Sequence, residues 1–239
     1  GELIGINVAV LNEVVGQRAQ GMCFAIPIRR VLEALSDIFP TEFVKACWFG
    51  ARVKVGAMPL VLASVQPQSP AGRAGLQAGD AILQVNGASP KSFIDFAELL
   101  AAKPASDVRL AIRRGAARKE LAVRLVPEKT VFNAGLIRDK LGLSLEVLTP
   151  QQAARYGVSV SDAYFIAGVE ENSPAAAAGL QRGILVTSLD GQLPADLCAA
   201  AKQLYARKKG DRVVLEIAVP QRMGNFNVLR QGAVELAVR

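Results

Sequence analysis

Covalent catalysis is the first chemistry to consider, and the residue types of the chain argue against it. The 239 residues include no histidine, so neither a Ser-His-Asp triad nor a Cys-His pair can be built from this chain alone. Ser69 and Ser173 each precede a proline, which is typical of a helix N-cap and not of an activated nucleophile. No Ser/Lys pair lies in a recognisable motif. We therefore expect no catalytic residue in this chain.

The three cysteines do not indicate a metal site. Cys23, Cys47 and Cys198 lack CxxC spacing, and their odd number gives no disulfide framework. Such cysteines are typically small buried hydrophobic residues. We expect no metal and no cofactor.

Composition and charge narrow the class of protein. Hydrophobic residues make up 51% and charged residues 21% of the chain, as in a globular protein. No apolar run approaches the ~18 residues that a membrane span needs. The net charge is +7, and the excess is concentrated in residues 45–128. Because no aromatic residues are interleaved with the basic ones, the pattern disfavours nucleic acid and leaves a solvated basic face or a surface that attracts anionic peptides.

One block of sequence occurs twice. "SPAGRAGLQAGD" at Ser69–Asp80 returns as "SPAAAAGLQRGI" at Ser173–Ile184, and "ELAVR" occurs at Glu120–Arg124 and again at the end of the chain. Repeats of this extent indicate two copies of one module, each of a normal size for a folding domain. The second copy carries about eleven extra residues, which we assign to a loop at residues 220–231.

The first copy reads as alternating strands and helices. Ser69 and Pro70 begin a short helix, and apolar residues at helical spacing predict a longer helix over residues 92–103 that ends before Pro104. Strands are predicted at 48–55, at 59–67, in a short segment at 80–87 that ends in an Asn-Gly turn, and in a hairpin at 107–126, whose turn carries a solvated basic tip. The fold class is α+β: a small, partly open β-barrel with two helices. An extra helix is predicted in the second copy at Thr149–Gly157. The basic tip consists of Arg113, Arg114, Arg118 and Lys119.

The repeated block resembles the PDZ domain of bacterial Do-like (HtrA/DegP-type) serine proteases. Both copies match, which implies tandem PDZ domains at residues 45–128 and 138–239. Ile184 stands where the pattern has an aspartate, as at Asp80. In residues 1–40, "IGIN" and "FAIP" resemble the last strands of the same family's trypsin-like protease domain, whose catalytic serine motif would precede Gly1. The family usually works in the periplasm or cell envelope.

Residues 1–27 would be two strands of that protease barrel. Outside the barrel they would fray, pack on the PDZ modules or pair with another chain. The apolar stretch "LIGINVAVL" favours packing or pairing, and we expect a homo-oligomer.

The resemblance also implies a binding site. A PDZ domain adds an extended peptide to a strand and captures its C-terminal carboxylate with backbone N–H groups of a glycine loop. In the first module the loop would be Trp48, Phe49, Gly50 and Ala51, with donors at the last three. Of the long helix, Ala97 and Leu100 would face the groove, while Phe93, Phe96 and Leu99 would form core. In the second module the loop would be Leu141, Gly142 and Leu143, with Ala199 and Gln203 as rough counterparts on the helix.

The resemblance thus predicts tandem PDZ domains that bind peptides or unfolded proteins, and that present them to and regulate a serine endopeptidase in protein quality control. The parent protein would be the protease, and this chain alone would be inactive. Two alternatives stay open: an assembly or scaffold module that mediates oligomerisation, and an adaptor derived from a pseudo-protease.

Overall fold

The chain folds into two compact units, residues Gly1–Pro127 and Glu128–Arg239. The structure is a computed structural model, and it describes residues 3–14, 17–102, 107–223 and 226–239. Residues 128–137, which lie between the two predicted modules, belong to the second unit.

The first unit begins with a hairpin and a helix and continues into a five-stranded sheet. β5 to β9 pair in chain order, and β3, β4 and β10 form a small separate sheet. Its elements are β1 (Gly5–Val14), β2 (Gln17–Pro27), α1 (Ile28–Ile38), β3 (Phe43–Val44), β4 (Cys47–Trp48), β5 (Ala51–Val53), β6 (Leu60–Val65), α2 (Pro70–Arg73), β7 (Ala81–Val85), α3 (Phe93–Ala101), β8 (Asp107–Arg114), β9 (Ala117–Arg124) and β10 (Val126–Pro127).

The second unit repeats this plan behind two helices of its own. Its five-stranded sheet also pairs in chain order. The elements are α4 (Glu128–Val131), α5 (Ala134–Leu141), β11 (Leu143–Val147), α6 (Pro150–Tyr156), a 3-10 turn (Val160–Asp162), β12 (Tyr164–Val169), α7 (Pro174–Ala177), β13 (Leu185–Leu189), α8 (Leu197–Tyr205), β14 (Arg212–Met223) and β15 (Phe226–Ala237).

Local sequence explains most of the helix starts. The Ser69 hydroxyl accepts a hydrogen bond from the Gly72 amide at 3.0 Å, and Ser173 does the same for Ala176 at 3.1 Å. The predicted extra helix is confirmed as α6, whose Thr149 and Gln152 form a capping box. The mixture of helices and antiparallel sheets confirms the α+β class. Pro104, the predicted stop of α3, lies outside the described residues.

Two expectations about strands need correction. The predicted strand at 48–55 is broken at Gly50, so that β4 pairs with β10 whereas β5 pairs with β6. The extra residues at 220–231 lie mostly within strands, because β14 and β15 stay paired from Arg212 opposite Ala237 to Met223 opposite Phe226. A long hairpin, and not a long loop, accommodates the insertion.

Candidate functional site

The loop between β4 and β5 is anchored by its own side chains. Trp48, Phe49 and Ala51 are buried. The Trp48 indole nitrogen donates a hydrogen bond to the Gln66 amide oxygen at 2.7 Å, and the Phe49 ring meets Phe96 of α3 edge to face at a centroid distance of 5.8 Å. These contacts fix the backbone of the loop while its side chains point into the unit.

Gly50 lets the loop approach the repeated Ser-Pro block. It has φ +82°, and a Cβ placed there would lie 2.1 Å from the Cβ of Ser69. Gly142 has φ +77°, and its Cβ would lie 2.1 Å from the Cβ of Ser173. A side chain would therefore clash at both positions. The two halves of the repeat, the loop glycine and the Ser-Pro helix start, form one packed unit in each copy.

A turn of the same chain, closed by a hydrogen bond from the Phe43 amide to the Pro40 carbonyl at 3.2 Å, lies against the free edge of β5. We call Pro40–Glu42 the internal segment. The amides of Phe49 and Gly50 both donate to the Glu42 carbonyl oxygen, at 2.8 and 3.0 Å. The Thr41 hydroxyl donates to the Ala51 carbonyl at 3.0 Å and accepts from the Val53 amide at 3.1 Å.

Two of the three amides predicted to hold a ligand carboxylate, those of Phe49 and Gly50, are therefore engaged by a carbonyl of the chain itself. Their role toward a carboxylate from outside stays a prediction. The Glu42 carboxylate also accepts a hydrogen bond from the Arg52 guanidinium at 2.7 Å. The sequence did not single out Thr41, Glu42 or Arg52.

The helix α3 presents a different face than predicted. Leu100 is fully buried with Phe93 and Phe96 in the core of the first unit, whereas Leu99 is only partly buried. Leu100 is thus a core residue and not a groove residue. It follows Phe96 by four residues, as Phe96 follows Phe93 by three, and this spacing places all three side chains on one face of the helix. Ala97 is partly buried and lines a cavity, and its place in a peptide groove stays a prediction.

A cavity separates α3 from the chain around the internal segment. It has a volume of about 380 Å³. Ile94, Ala97 and Ala101 line it from α3, and Phe43 and Val44 line it from β3. The wall is mostly apolar, so it suits apolar side chains of an extended peptide.

In the second unit α5 packs against both β11 and α8, the strand and the helix that would border a groove. Ile137 and Leu141 of this helix are buried and meet Leu143 of β11 and Leu204 of α8 around a cavity of only about 10 Å³. The Gly142 amide donates to the Arg138 carbonyl at 2.7 Å as the cap of α5. Leu141, Gly142 and Leu143 are therefore brought together as a helix end and a strand start.

The helix counterparts in the second unit differ from those expected, by two positions for Ala199 and by one position for Gln203. The bounds of α3 and α8 show that Ala97 corresponds to Ala201 and Leu100 to Leu204. Ala199 and Gln203 lie on other faces of α8; Gln203 is exposed. The 3.6-residue period and the repeat spacing would together have located these counterparts.

An ion pair crosses the first unit beside the repeated block. Asp80 is buried, and its two carboxylate oxygens accept hydrogen bonds from Nε and Nη2 of Arg114, both at 2.7 Å. Burial alone would raise the pKa of Asp80. The Arg114 side chain and the Gln77 amide together lower this pKa by more than burial raises it, so the net pKa lies below the usual 3.8. Arg114 was expected at a solvated tip and is instead a structural partner.

Other chemistry finds little support in the described part of the chain. Burial raises the pKa of the Cys198 thiol, which disfavours the reactive thiolate. Among residues 3–14, 17–102, 107–223 and 226–239, no three His, Cys, Asp or Glu side chains cluster as metal ligands. No helix in those same ranges has the length and apolar character to cross a membrane.

Comparison with known proteins identifies part of the first unit. Residues 61–114 match the sequence model of the PDZ domain. A probable periplasmic serine endoprotease, DegP-like, of Pseudomonas fluorescens is 28% identical and aligns with 97% of this chain and 50% of its own length. The serine endoprotease DegS of Haemophilus influenzae is 32% identical over 48% of this chain and 35% of its own.

Among solved structures, the HtrA-type protease AlgW with decapeptide matches with 26% identity and a TM-score of 0.31, covering 53% of this chain and 42% of that one. The chain spans about half the length of the DegP-like relatives that it matches. The match to the PDZ sequence model and the DegP-like relatives confirm the resemblance read from the sequence. The chain carries a PDZ domain, a peptide-binding module, and along most of its length it is similar to DegP-like serine endoproteases.

Proposed function

We propose that the first unit binds an extended peptide or an unfolded chain segment as an added strand on β5. One observation carries the proposal: the free edge of β5 and the amides of Phe49 and Gly50 already bind another part of the chain, the turn at residues 40–42, through a backbone carbonyl and a hydroxyl. Strand addition of this kind is how PDZ domains bind peptides.

A free C-terminal carboxylate is the ligand group that best fits the loop. It would take the position of the Glu42 carbonyl oxygen, 2.8 and 3.0 Å from the two amide nitrogens. A carboxylate makes stronger hydrogen bonds than a neutral carbonyl. Apolar side chains of the peptide would enter the cavity beside Ala97 of α3.

In the parent protein this unit would present substrates to a DegP-like serine endopeptidase. Relatives named as periplasmic endoproteases align with most of the chain, which supports a place in periplasmic protein quality control. We propose an assembly role for the second unit, because α5 fills the space where a peptide would lie. Homo-oligomerisation belongs to the same proposal.

Calorimetric titration tests the peptide site. Peptides ending in a free carboxylate after an apolar residue should bind with a Kd on the order of micromolar, about −8 kcal/mol, and their C-terminal amides should bind more weakly. Ala97→Glu places a charge in the apolar cavity and should weaken binding about tenfold or more. Ala102→Glu adds the same charge at the exposed end of α3 and should leave binding unchanged.

Two results would contradict this site. If free-acid and amidated peptides bind equally well, recognition of the carboxylate is excluded. If Ala97→Glu and Ala102→Glu bind the peptide equally well, the peptide does not bind beside Ala97. Presentation to the protease is tested by the rate at which the full-length parent degrades a substrate carrying the bound peptide, with and without Ala97→Glu.

A further inference from the structure

The internal segment has the direction and contacts of a bound ligand. Thr41 lies beside Ala51 and Val53, and Glu42 reaches the loop at Phe49 and Gly50. The segment therefore runs antiparallel to β5 with its C-terminal end at the loop amides. A peptide captured by its C-terminus would run the same way.

The segment can leave only if its contacts with the loop, with β5 and with Arg52 are broken. Thr41 and Glu42 are 2% and 8% exposed, so both are held inside the unit. Arg52 pairs with Glu42 at 2.7 Å and with Asp37 at the end of α1 at 3.4 Å. The internal segment is thus continuous with the helix that follows the N-terminal hairpin.

The fit of Glu42 is incomplete. Its Oε1 accepts from Arg52, but its Oε2 is buried with no hydrogen-bond partner among the described residues. An unsatisfied buried oxygen costs free energy. The backbone carbonyl of Glu42 offers one neutral oxygen to the amides of Phe49 and Gly50. A terminal carboxylate in its place would offer two oxygens and a negative charge. A free C-terminus can therefore compete for this position.

We infer that Thr41 and Glu42 are an internal ligand that closes the groove of the first unit until a peptide displaces them. The inference rests on the proposed peptide function. It also adds a second ligand class to the apolar-ended peptides: a peptide with a free C-terminus whose last residue is acidic and is preceded by a hydroxyl residue. Arg52 is the specificity residue, because displacement of Glu42 frees its guanidinium for the acidic side chain of the ligand.

Displacement links the groove to the N-terminal helix. The observed affinity is the intrinsic affinity multiplied by the fraction of molecules whose groove is open. Peptide binding replaces the contacts of Glu42 and moves the internal segment, which begins two residues after the end of α1, away from β5. Binding therefore loosens the end of α1 from β5.

The probe is the pentapeptide Ile-Phe-Pro-Thr-Glu with a free carboxylate, which copies residues 38–42 of the chain. Its affinity for the full chain is measured by calorimetry. Thr41→Val removes the hydroxyl that bonds β5 and should raise the affinity about tenfold by opening the groove. Thr41→Ser keeps the hydroxyl and should return the affinity to that of the wild type. Thr187→Val, the same change in β13 of the second unit, should have no effect.

Amide hydrogen exchange gives an independent measurement. Without peptide, the amides of Phe49 and Gly50 should exchange about tenfold faster in Thr41→Val, and the free-acid peptide should protect them again. If the core amides of Val108 and Ile112 also exchange faster, the substitution destabilises the whole unit. That result would exclude a specific role of Thr41 in closing the groove. With Arg52→Gln, the preference for the peptide over its Gln-ended form should disappear.

The outcomes separate this inference from the function on which it rests. If the peptide binds the wild type and Thr41→Val equally, the internal ligand is excluded and the peptide site stands. If neither this peptide nor apolar-ended peptides bind any variant, both the peptide site and the internal ligand are excluded.

Discussion

Gly50 and Gly142 occupy positions that no other residue can take without moving its neighbours. Each combines a positive φ with a position at which an added Cβ would lie 2.1 Å from a serine Cβ. The repeat in the sequence marks the serines clearly, but their pairing with the loop glycines spans 19 residues in one copy and 31 in the other. Only the folded chain shows that the two features form one contact.

We expect Gly50→Ala to lower the free energy of unfolding of the first unit by about 3 kcal/mol, from backbone strain and the clash together. Gly142→Ala should act likewise on the second unit. The matched controls are Gly56→Ala and Gly157→Ala, which share the positive φ but have nothing within 4 Å of the added carbon. They should cost only about 1 kcal/mol. Urea unfolding measures all four, and equal costs within each pair would exclude the clash.

At the level of elements, the pair between Asp80 and Arg114 ties the turn after α2 to the end of β8. Arg114 also donates to the Gly75 carbonyl at 2.7 Å, so one guanidinium closes the turn at two points. In the second unit Ile184 is buried at the position of Asp80. An apolar residue can replace a buried ion pair without loss of the fold, and the turn is kept there.

This pair should make the first unit sensitive to acid. The pKa of Asp80 is lowered in the folded state, so its stabilising contribution is complete above the unfolded value of 3.8 and is lost as the pH falls through the lower folded value. Asp80→Asn should cost about 2 kcal/mol near neutral pH, and this difference should shrink in strong acid. Asp107→Asn, at an exposed position of β8, is the control in urea unfolding. A cost that does not change with pH would contradict the assignment.

At the scale of the whole molecule, the described side chains around the start of β1 and near the end of β2 include several large apolar residues that are exposed. Ile4, Val8 and Phe24 are 84%, 60% and 52% exposed, although α1 continues into the core through Leu32 and Leu35. The strands have neither frayed nor lost their pairing. Such an apolar surface favours association.

We expect the chain to self-associate through this hairpin. Removal of residues 1–27 should lower the mass measured by light scattering, because it removes the exposed apolar side chains. Val8→Lys should lower it as well, whereas Val214→Lys, at a valine that is 39% exposed in the second unit, should not. A full-length chain that stays monomeric at high concentration would exclude association through β1 and β2.

The sequence by itself determined the two copies, the α+β class, the helix starts at Ser69, Ser173 and Thr149, and the glycine loop. These features depend on neighbours within a few residues: a cap bonds an amide three positions away, and alternation or helical spacing is written directly in the residue order. The face of Leu100 belongs to this group too, since its spacing from Phe93 and Phe96 predicts the core. The resemblance had suggested the groove instead.

Only the tertiary structure decided what fills the two grooves. The internal segment is held by backbone groups of the loop and of β5, which are the same for every residue type, and by side-chain contacts of Thr41 and Glu42 whose partners lie 10 to 12 residues away along the chain. The closure of the second groove depends on where α5 packs, because an amphipathic helix shows which face is apolar but not the surface that it will cover. The same limit hid the partner of Arg114, which lies 34 residues away along the chain.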